Sequence, residues 1–507
     1  MSPITALPEI DIQIDGRPLT LDGQRWLVAL RVQQRLSLPA QAELVFHFPA
    51  GRSSADLMPA SGSELEIAVQ NSGRLFRGQV TAAEYEYQPS GGRLFRVRGY
   101  DRLHQLRKRQ SLRVHTDMDL ADLARSLVAE IGLRLSCSTS GAKWRKLVQH
   151  RQSDFDILAE AAEFCGQYFT LRDDTVQLMT LRGTGETVEL TWGVNLFEAR
   201  IEVNAEAVCE SVATTGWDPS RVEFHQGVAS SPRVGRRVNV GVSSARVGAS
   251  AQRTLADRSL ADDRQAEQLA QGELDRRVAG QVTLWGAADG DARLRPGTTV
   301  AVRGVEPDVE GHYTLTSVTH SIDDDKGFIS EFSTAPPAPR RPPRRAPVAT
   351  WGVVTDIQDP ASLGRVRVRL PTYGDIESDW MGIVTPGGGA GKGFVVMPDR
   401  GDNVLVVFPN EDPAQGLVLG GLYGTHGPPE AGGIKGGSVQ RYALLTPGGQ
   451  LVRLDDDQDS IHLENRDGSY VELTPQRVRV HAAADLTLEA PGKSVHIRGH
   501  TIRFEEA

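Results

Sequence analysis

The sequence predicts a mainly β, multidomain protein, and three observations carry that expectation. Glycine supplies 52 of 507 residues, about 10% against a usual ~7%, which favours turns and short strands over helical bundles. Apolar residues alternate with polar ones at period two over much of the chain, the spacing that turns one face of a strand inward. Residues 451–507 repeat a short apolar pair between turn residues.

The length suits roughly three or four domains at about 150 residues each. With 39% apolar and 24% charged residues the chain is not generally disordered. Fifty-six bases against 65 acids give a formal charge of −9, so no global polycation is available to hold nucleic acid. Cys137, Cys165 and Cys209 are too few and too scattered for a disulfide framework or a metal site, and a reducing compartment is the simplest setting. The N-terminus lacks a basic segment followed by an apolar core, and no apolar run approaches 18 residues. Synthesis and assembly in the cytoplasm are expected.

Residues 1–100 read as a first β-barrel: Ile10, Ile12 and Ile14 alternate, as do Leu65, Ile67 and Val69, then Phe95 and Val97. An α+β segment follows over 101–175. Leu120, Leu123, Ala124, Leu127, Val128 and Ile131 line one helix face within 117–131, where Thr116 with Asp119 predicts a capping box and Gly132 a stop. A second helix over 154–165 has Ser153 as its cap and Phe155, Leu158, Ala162 and Cys165 as its stripe, which makes Cys165 a core residue. Residues 176–335 predict a second barrel, interrupted by a long helix near 251–279. Residues 336–349, rich in proline and arginine, form an extended spacer. Five or so strands over 350–425 suit a small OB-type barrel, and 426–450 is a neck.

The tail, 451–507, is the most informative stretch. Leu451 or Val452 with Leu454, Ile461 with Leu463, Val471 with Leu473 and Val478 with Val480 are pairs at i, i+2. Leu486 with Leu488, Val495 with Ile497 and Ile502 with Phe504 continue the pattern to seven short strands. Each strand buries two side chains on one face, and no helix follows to cover them. Two aliphatics per strand barely offset the ordering entropy, so burial against copies of the same chain is the physical solution. Three copies wound into a prism would put Val478, Val480, Leu486, Leu488, Val495 and Ile497 on the trimer axis, with Ile502 and Phe504 as a platform at the tip. A one-chain parallel β-helix is the alternative. Strand parity points His462, His481 and His496 away from that axis, so no axial metal site is expected.

No catalytic constellation survives the same reading. Gly387-Gly-Gly-Ala-Gly-Lys392-Gly393 lacks the first glycine and the hydroxyl of a phosphate loop. Asp455 to Asp459 lacks the glycine and closing glutamate of a calcium loop. No HExxH and no GxSxG on a strand-to-helix turn is present. The expectation is a protein with no enzyme activity, no cofactor and no bound metal.

The segment Val353 to Pro371, with Pro360 and Gly364, resembles the opening of the OB-type barrel in VgrG and phage baseplate spike proteins. Glu377-Ser-Asp-Trp380, Pro398-Asp-Arg-Gly401 running to Phe408, Asp412-Pro and Val418 to Tyr423 are similar to the rest of it. Gly99 to His104, Ser153 to Gly166 and Leu294 to His320 resemble, more diffusely, the hub half of the same proteins. The resemblance implies a homotrimeric hub and cell-puncturing spike at the tip of the inner tube of a contractile injection system. Its partners would be the inner tube protein, baseplate proteins, a PAAR-type tip protein and effector cargo, with a target membrane met only during puncture. About 25 residues between Gly424 and Leu451 leave no room for the lysozyme domain of some phage relatives. The short prism favours a phage-tail-like particle. A trimeric tail fibre or adhesin binding a surface glycan, or a tail-associated cell-wall hydrolase, is the alternative.

Overall fold

The computed structural model describes residues 8–48, 59–89, 92–137, 141–218, 221–340, 347–409, 411–429 and 433–505. It is mainly β, 45% strand and 13% helix. The chain divides into two compact units, Met1–Gly420 and Gly421–Ala507.

The first unit is organised by one long sheet. Its N-terminal strands are β1 (Ile10–Ile14), β2 (Leu27–Arg35), β3 (Gln41–Phe48), β4 (Glu64–Val69), β5 (Gly73–Tyr87) and β6 (Arg93–Tyr100). Two helices follow, α1 (Leu120–Ala129) and α2 (Asp154–Phe164). The chain then gives β7 (Leu196–Val203), β8 (Ser211–Asp218), β9 (Glu223–Ala229), β10 (Gln252–Ser259), α3 (Asp263–Gln281), β11 (Val282–Asp289), β12 (Ser317–Asp323) and β13 (Gly327–Ser333). The strand order is β7-β11-β13-β12-β2-β3-β6-β5-β4-β1, with Arg17–Pro18 at the far edge. The two barrels expected from sequence therefore share an 11-stranded sheet, joined where β2 pairs antiparallel with β12 from Ala29↔Asp323 to Arg35↔Ser317. The period-two pattern made the strands legible, whereas a pairing across almost 300 residues leaves no local signal. Each half keeps a core, Phe46, Phe48, Phe76 and Phe95 in the first and Leu284, Val300, Tyr313 and Phe332 in the second.

Helix α1 buries Leu120, Leu123, Ala124, Leu127 and Val128 against α2, as its spacing requires. Its cap differs from the expected pair. Asp119 accepts from the Asp122 N–H at 2.9 Å and Asp122 answers on the Asp119 N–H, while Thr116 lies in a strand opposite Lys146. Ser153 caps α2 as expected, and Cys165 is buried.

The long helix expected over 251–279 is two elements. Residues 252–259 form β10, parallel to β8, and α3 begins only after Asp262, whose side chain accepts from the Gln265 N–H at 2.8 Å. Residues such as Arg253, Thr254 and Leu255 tolerate either state, and a free sheet edge beside them decides for strand. Together β9, β8 and β10 make a three-stranded sheet whose Val212 and Ala229 pack on Ala270 and Leu274 of α3.

The spacer is shorter than expected, since Val348 and Ala349 already belong to β14 (Val348–Asp356). With β15 (Arg367–Leu370), β16 (Ile376–Glu377), β17 (Gly382–Ile383), β18 (Asn403–Phe408) and β19 (Leu417–Leu422) it forms a six-stranded sheet, order β16-β15-β14-β18-β19-β17. A bridge between Val366 and Met381 closes that sheet on itself around Val354, Val368, Leu370, Val406 and Phe408. The barrel seats on the α+β segment: Lys146 Nζ donates to the Glu377 carbonyl at 2.5 Å and the His150 ring meets Tyr373 at 5.5 Å. Gly374 turns there at φ 69°, a left-handed conformation that favours glycine, with Leu112 lying over it.

The second unit contains a five-stranded antiparallel meander: β20 (Arg441–Leu445), β21 (Leu451–Asp455), β22 (Ser460–Glu464), β23 (Tyr470–Leu473) and β24 (Val478–His481). Four of the seven expected tail strands are present, and β20 adds one that the pairing pattern did not include. Residues 482–505 hold none, so Leu486, Leu488, Val495, Ile497, Ile502 and Phe504 lie outside any strand. A strand exists only where a neighbour accepts its backbone hydrogen bonds, and β24 is the last strand to find one within this chain.

Candidate assembly surfaces

In an antiparallel sheet, residues directly opposite one another share a face. The register sets Tyr442, Leu454, Ile461, Leu473 and Val478 in one row across the meander. Leu444, Val452, Leu463, Val471 and Val480 form the next row on the same face. Ten residues thus line one face, all apolar apart from the single tyrosine hydroxyl. Eight of them are 39–69% exposed, while Val452 and Val471 are partly buried.

The opposite face carries Arg453, His462, Glu472 and Arg479, with Glu464, Tyr470 and His481 beside them. His462 and His481 therefore lie on the polar face, and the ambiguity between Leu451 and Val452 resolves in favour of Val452. Arg441 binds Asp455 there at 2.7 Å, His462 contacts Glu464 at 3.1 Å, and Arg479 lies over the Tyr470 ring at 5.4 Å. The Arg441 bond is the first cause of an Asp455 carboxyl held below its usual range. Tyr470 stacks between His462 and His481 at 5.2 and 5.0 Å. The sheet is finished on its charged side and open on its apolar side.

Of the residues expected on a shared axis, Val478 and Val480 are adjacent on this apolar face. Leu486, Leu488, Val495 and Ile497 are exposed in the segment beyond it, as are Ile502 and Phe504, the last at 89%. Sequence reading missed Tyr442 and Leu444, which complete the rows. Their spacing of two was visible, but Ala443 and Leu445 around them blur the alternation.

In the long sheet, strand β4 covers β5 only from Gly73 to Gln79, whereas β5 runs on to Tyr87 against β6. At the other end of that sheet β7 pairs with β11, and Leu196 also bridges Trp192.

Burial pushes the Cys165 thiol up to about 12 and raises Cys209 as well, the opposite of an activated nucleophile. Among the described residues no cluster of three or more His, Cys, Asp or Glu is placed to hold a metal ion. Among them, too, no helix is long and apolar enough to cross a membrane. The loop Gly387–Gly393 closes as a hairpin between Gly389 and Lys392 and leads into no helix, so it lacks the frame of a phosphate loop.

Residues 47–324 match the family model described as the Alg8 N-terminal domain, and residues 350–423 match the type VI secretion system/phage-baseplate injector OB domain. No curated protein matches the chain. A solved Escherichia coli protein, c3393, is described as a type VI secretion system component similar to the T4 tail proteins gp27 and gp5. It superposes with a TM-score of 0.52 at 13% identity, covering 82% of this chain and 99% of its own. The Francisella PdpA–VgrG complex, lidded, matches with a TM-score of 0.53 at 10% identity, covering 93% of this chain and 79% of that one. These two likenesses are of fold. With a family model spanning more than half of it and an injector OB domain after that, the chain belongs to the Alg8 N-terminal domain family and is a VgrG-like protein of the phage-baseplate hub-and-spike type.

Proposed function

We propose that three copies of this chain form the hub and cell-puncturing spike at the tip of the inner tube of a contractile injection system, with no catalytic activity of their own. The observation that carries this reading is the ten-residue face of the C-terminal meander, apolar and open, with charged and polar residues on the opposite face. Each of its side chains is already about half covered, so closure against two other copies would stabilise by about 1 kcal/mol per side chain. Summed over three chains, that exceeds the cost of association. Threefold rotation also leaves no sheet edge free.

The hub sheet supports the same symmetry. One continuous sheet runs through both halves of the hub, so three copies side by side would set six such halves in a ring. Two similar halves per copy give that ring a pseudo-sixfold face, which fits a hexameric inner tube. Residues Ile502 and Phe504 would form the platform for a PAAR-type tip protein, through which cargo is carried. Force comes from contraction of the surrounding machine, so the spike needs rigidity rather than an active site. Electron microscopy of the purified chain tests this: threefold particles with a wide ring and a tapering end are expected. Particles of a single chain or of twofold symmetry would overturn it.

A further inference from the structure

Among the described residues, no buried apolar cluster joins the OB barrel to the hub. The barrel's own cluster runs from Val354 to Val418, and the chain crosses between the two once, from Ser333 to Val348. Across the seat Lys146 bonds the Glu377 carbonyl, Leu112 lies over Gly374, and the His150 ring meets Tyr373, which stands edge-on to Phe408 of the barrel core at 5.5 Å. Parts joined without a shared core open at lower cost than the cores themselves. His150 follows the strand Trp144–Gln149 and is half-buried. Its Nδ1 is buried and makes no well-formed hydrogen bond among the described residues. Charged groups face the ring from both sides of the seat: Arg151 beside it in the chain, and Glu411 and Asp412 from the barrel segment between β18 and β19. Burial is the first cause that holds this imidazole below its ordinary value, with Arg151 adding to it, while the Val148 backbone, Asp412 and Glu411 act in the opposite sense. The seated ring is therefore neutral at neutral pH.

We propose that this seat is an acid-sensitive latch, in which protonation of His150 releases the OB barrel from the hub within one chain. A ring set free meets water and returns to its ordinary value near ~6.5. The released state thus takes up a proton that the seated state resists, so release becomes more favourable as pH falls through and below ~6.5. Glu411 and Asp412 soften that drive without reversing it, since the net displacement of the ring is downward. Nothing else at the seat compensates the loss, because a lysine bond to a single carbonyl and one aliphatic contact are modest terms. The latch belongs to one chain, so it stands whether one copy or three are present.

Amide hydrogen exchange of the full chain at about pH 7.5 and about pH 5, corrected for the intrinsic pH dependence of exchange, tests the latch. Peptides covering 144–150 and 371–377 should exchange several-fold faster at the lower pH, while β18 in the barrel core keeps its protection. His150→Gln should abolish that gain. Should this variant already loosen the seat at the higher pH, His150→Phe keeps a ring against Tyr373 that cannot protonate, and its seat should be protected equally at both values. Seat protection that does not change with pH overturns the latch. So does a gain that survives in the non-titrating variant, or one shared equally by β18.

Discussion

The backbone N–H of Arg340 donates to both carboxylate oxygens of Glu163, at 3.0 and 3.2 Å, while its guanidinium reaches Asp156 at 3.3 Å and lies over the Phe155 ring at 5.6 Å. The stretch before β14 is thus fastened to α2 at Arg340 rather than running free from residue 336. Replacing Glu163 and Asp156 by Ala should release it. Trypsin cleavage after Arg340 is expected to become several-fold faster, with the rest of the chain resistant; an unchanged rate would show that the anchor does not hold the segment.

The open apolar face gives the sharpest substitution. Leu463→Asp sets one carboxylate per copy at its centre, and unpaired buried charges cost several kcal/mol each. The variant should run as a monomer, whereas Glu472→Gln on the charged face should keep the assembled mass. Leu488→Asp, beyond the last strand, is expected to abolish trimers as well. A stable Leu488→Asp trimer would remove that residue from the axis.

Arg365 and Asp359 form a two-pronged pair at 2.8 and 2.9 Å, both side chains buried by accessible area. The guanidinium hydrogen bond is the first cause of an Asp359 carboxyl held well below the usual range, helped by the Ala361 and Leu363 N–H groups. A depressed carboxylate adds stability above its unfolded value near ~3.9 that is lost as pH falls through the folded one. Arg365→Met should cost on the order of 1–3 kcal/mol at neutral pH and progressively less as pH falls below ~3.9 towards the folded value, measured by denaturant unfolding.

His320 is fully buried, its Nδ1 2.9 Å from the Ser330 hydroxyl, and burial, with Arg295 adding to it, lowers its pKa to about 4. Asp291 acts weakly in the opposite sense. A lowered imidazole is neutral in the fold and charged in the unfolded chain between about pH 6.5 and 4, so stability falls as pH falls through that window. On the order of 3 kcal/mol is expected to be lost there through this residue. His320→Gln should flatten that part of the stability curve, and an unchanged slope would assign it elsewhere.

The fold was largely legible because its strands alternate strictly. Val366 and Val368, or Ile461 and Leu463, declare an apolar face without help from the rest of the chain. Local caps were legible where a single side chain decides, as at Ser153. The hub's continuous sheet was not, since Arg35 meets Ser317 through pairing that no local pattern encodes. Nor was β10, whose residues take a strand only because β8 offers an edge. The apolar face of the meander could be read from the repeat in four strands, because the pairs at i, i+2 set their apolar side chains on one side of the sheet. Its exact membership needed the register that sets Tyr442 beside Leu454 and Leu444 beside Val452. The loop Gly387–Gly393 was legible only as a phosphate loop without its first glycine and hydroxyl, because its glycines mask any periodicity.

The mass of the purified chain in solution tests the central claim most directly. The account predicts a species near three times 55.1 kDa that resists dilution, measured by light scattering. A clean monomer at the same concentrations would contradict it, leaving the apolar face of the meander to some other partner.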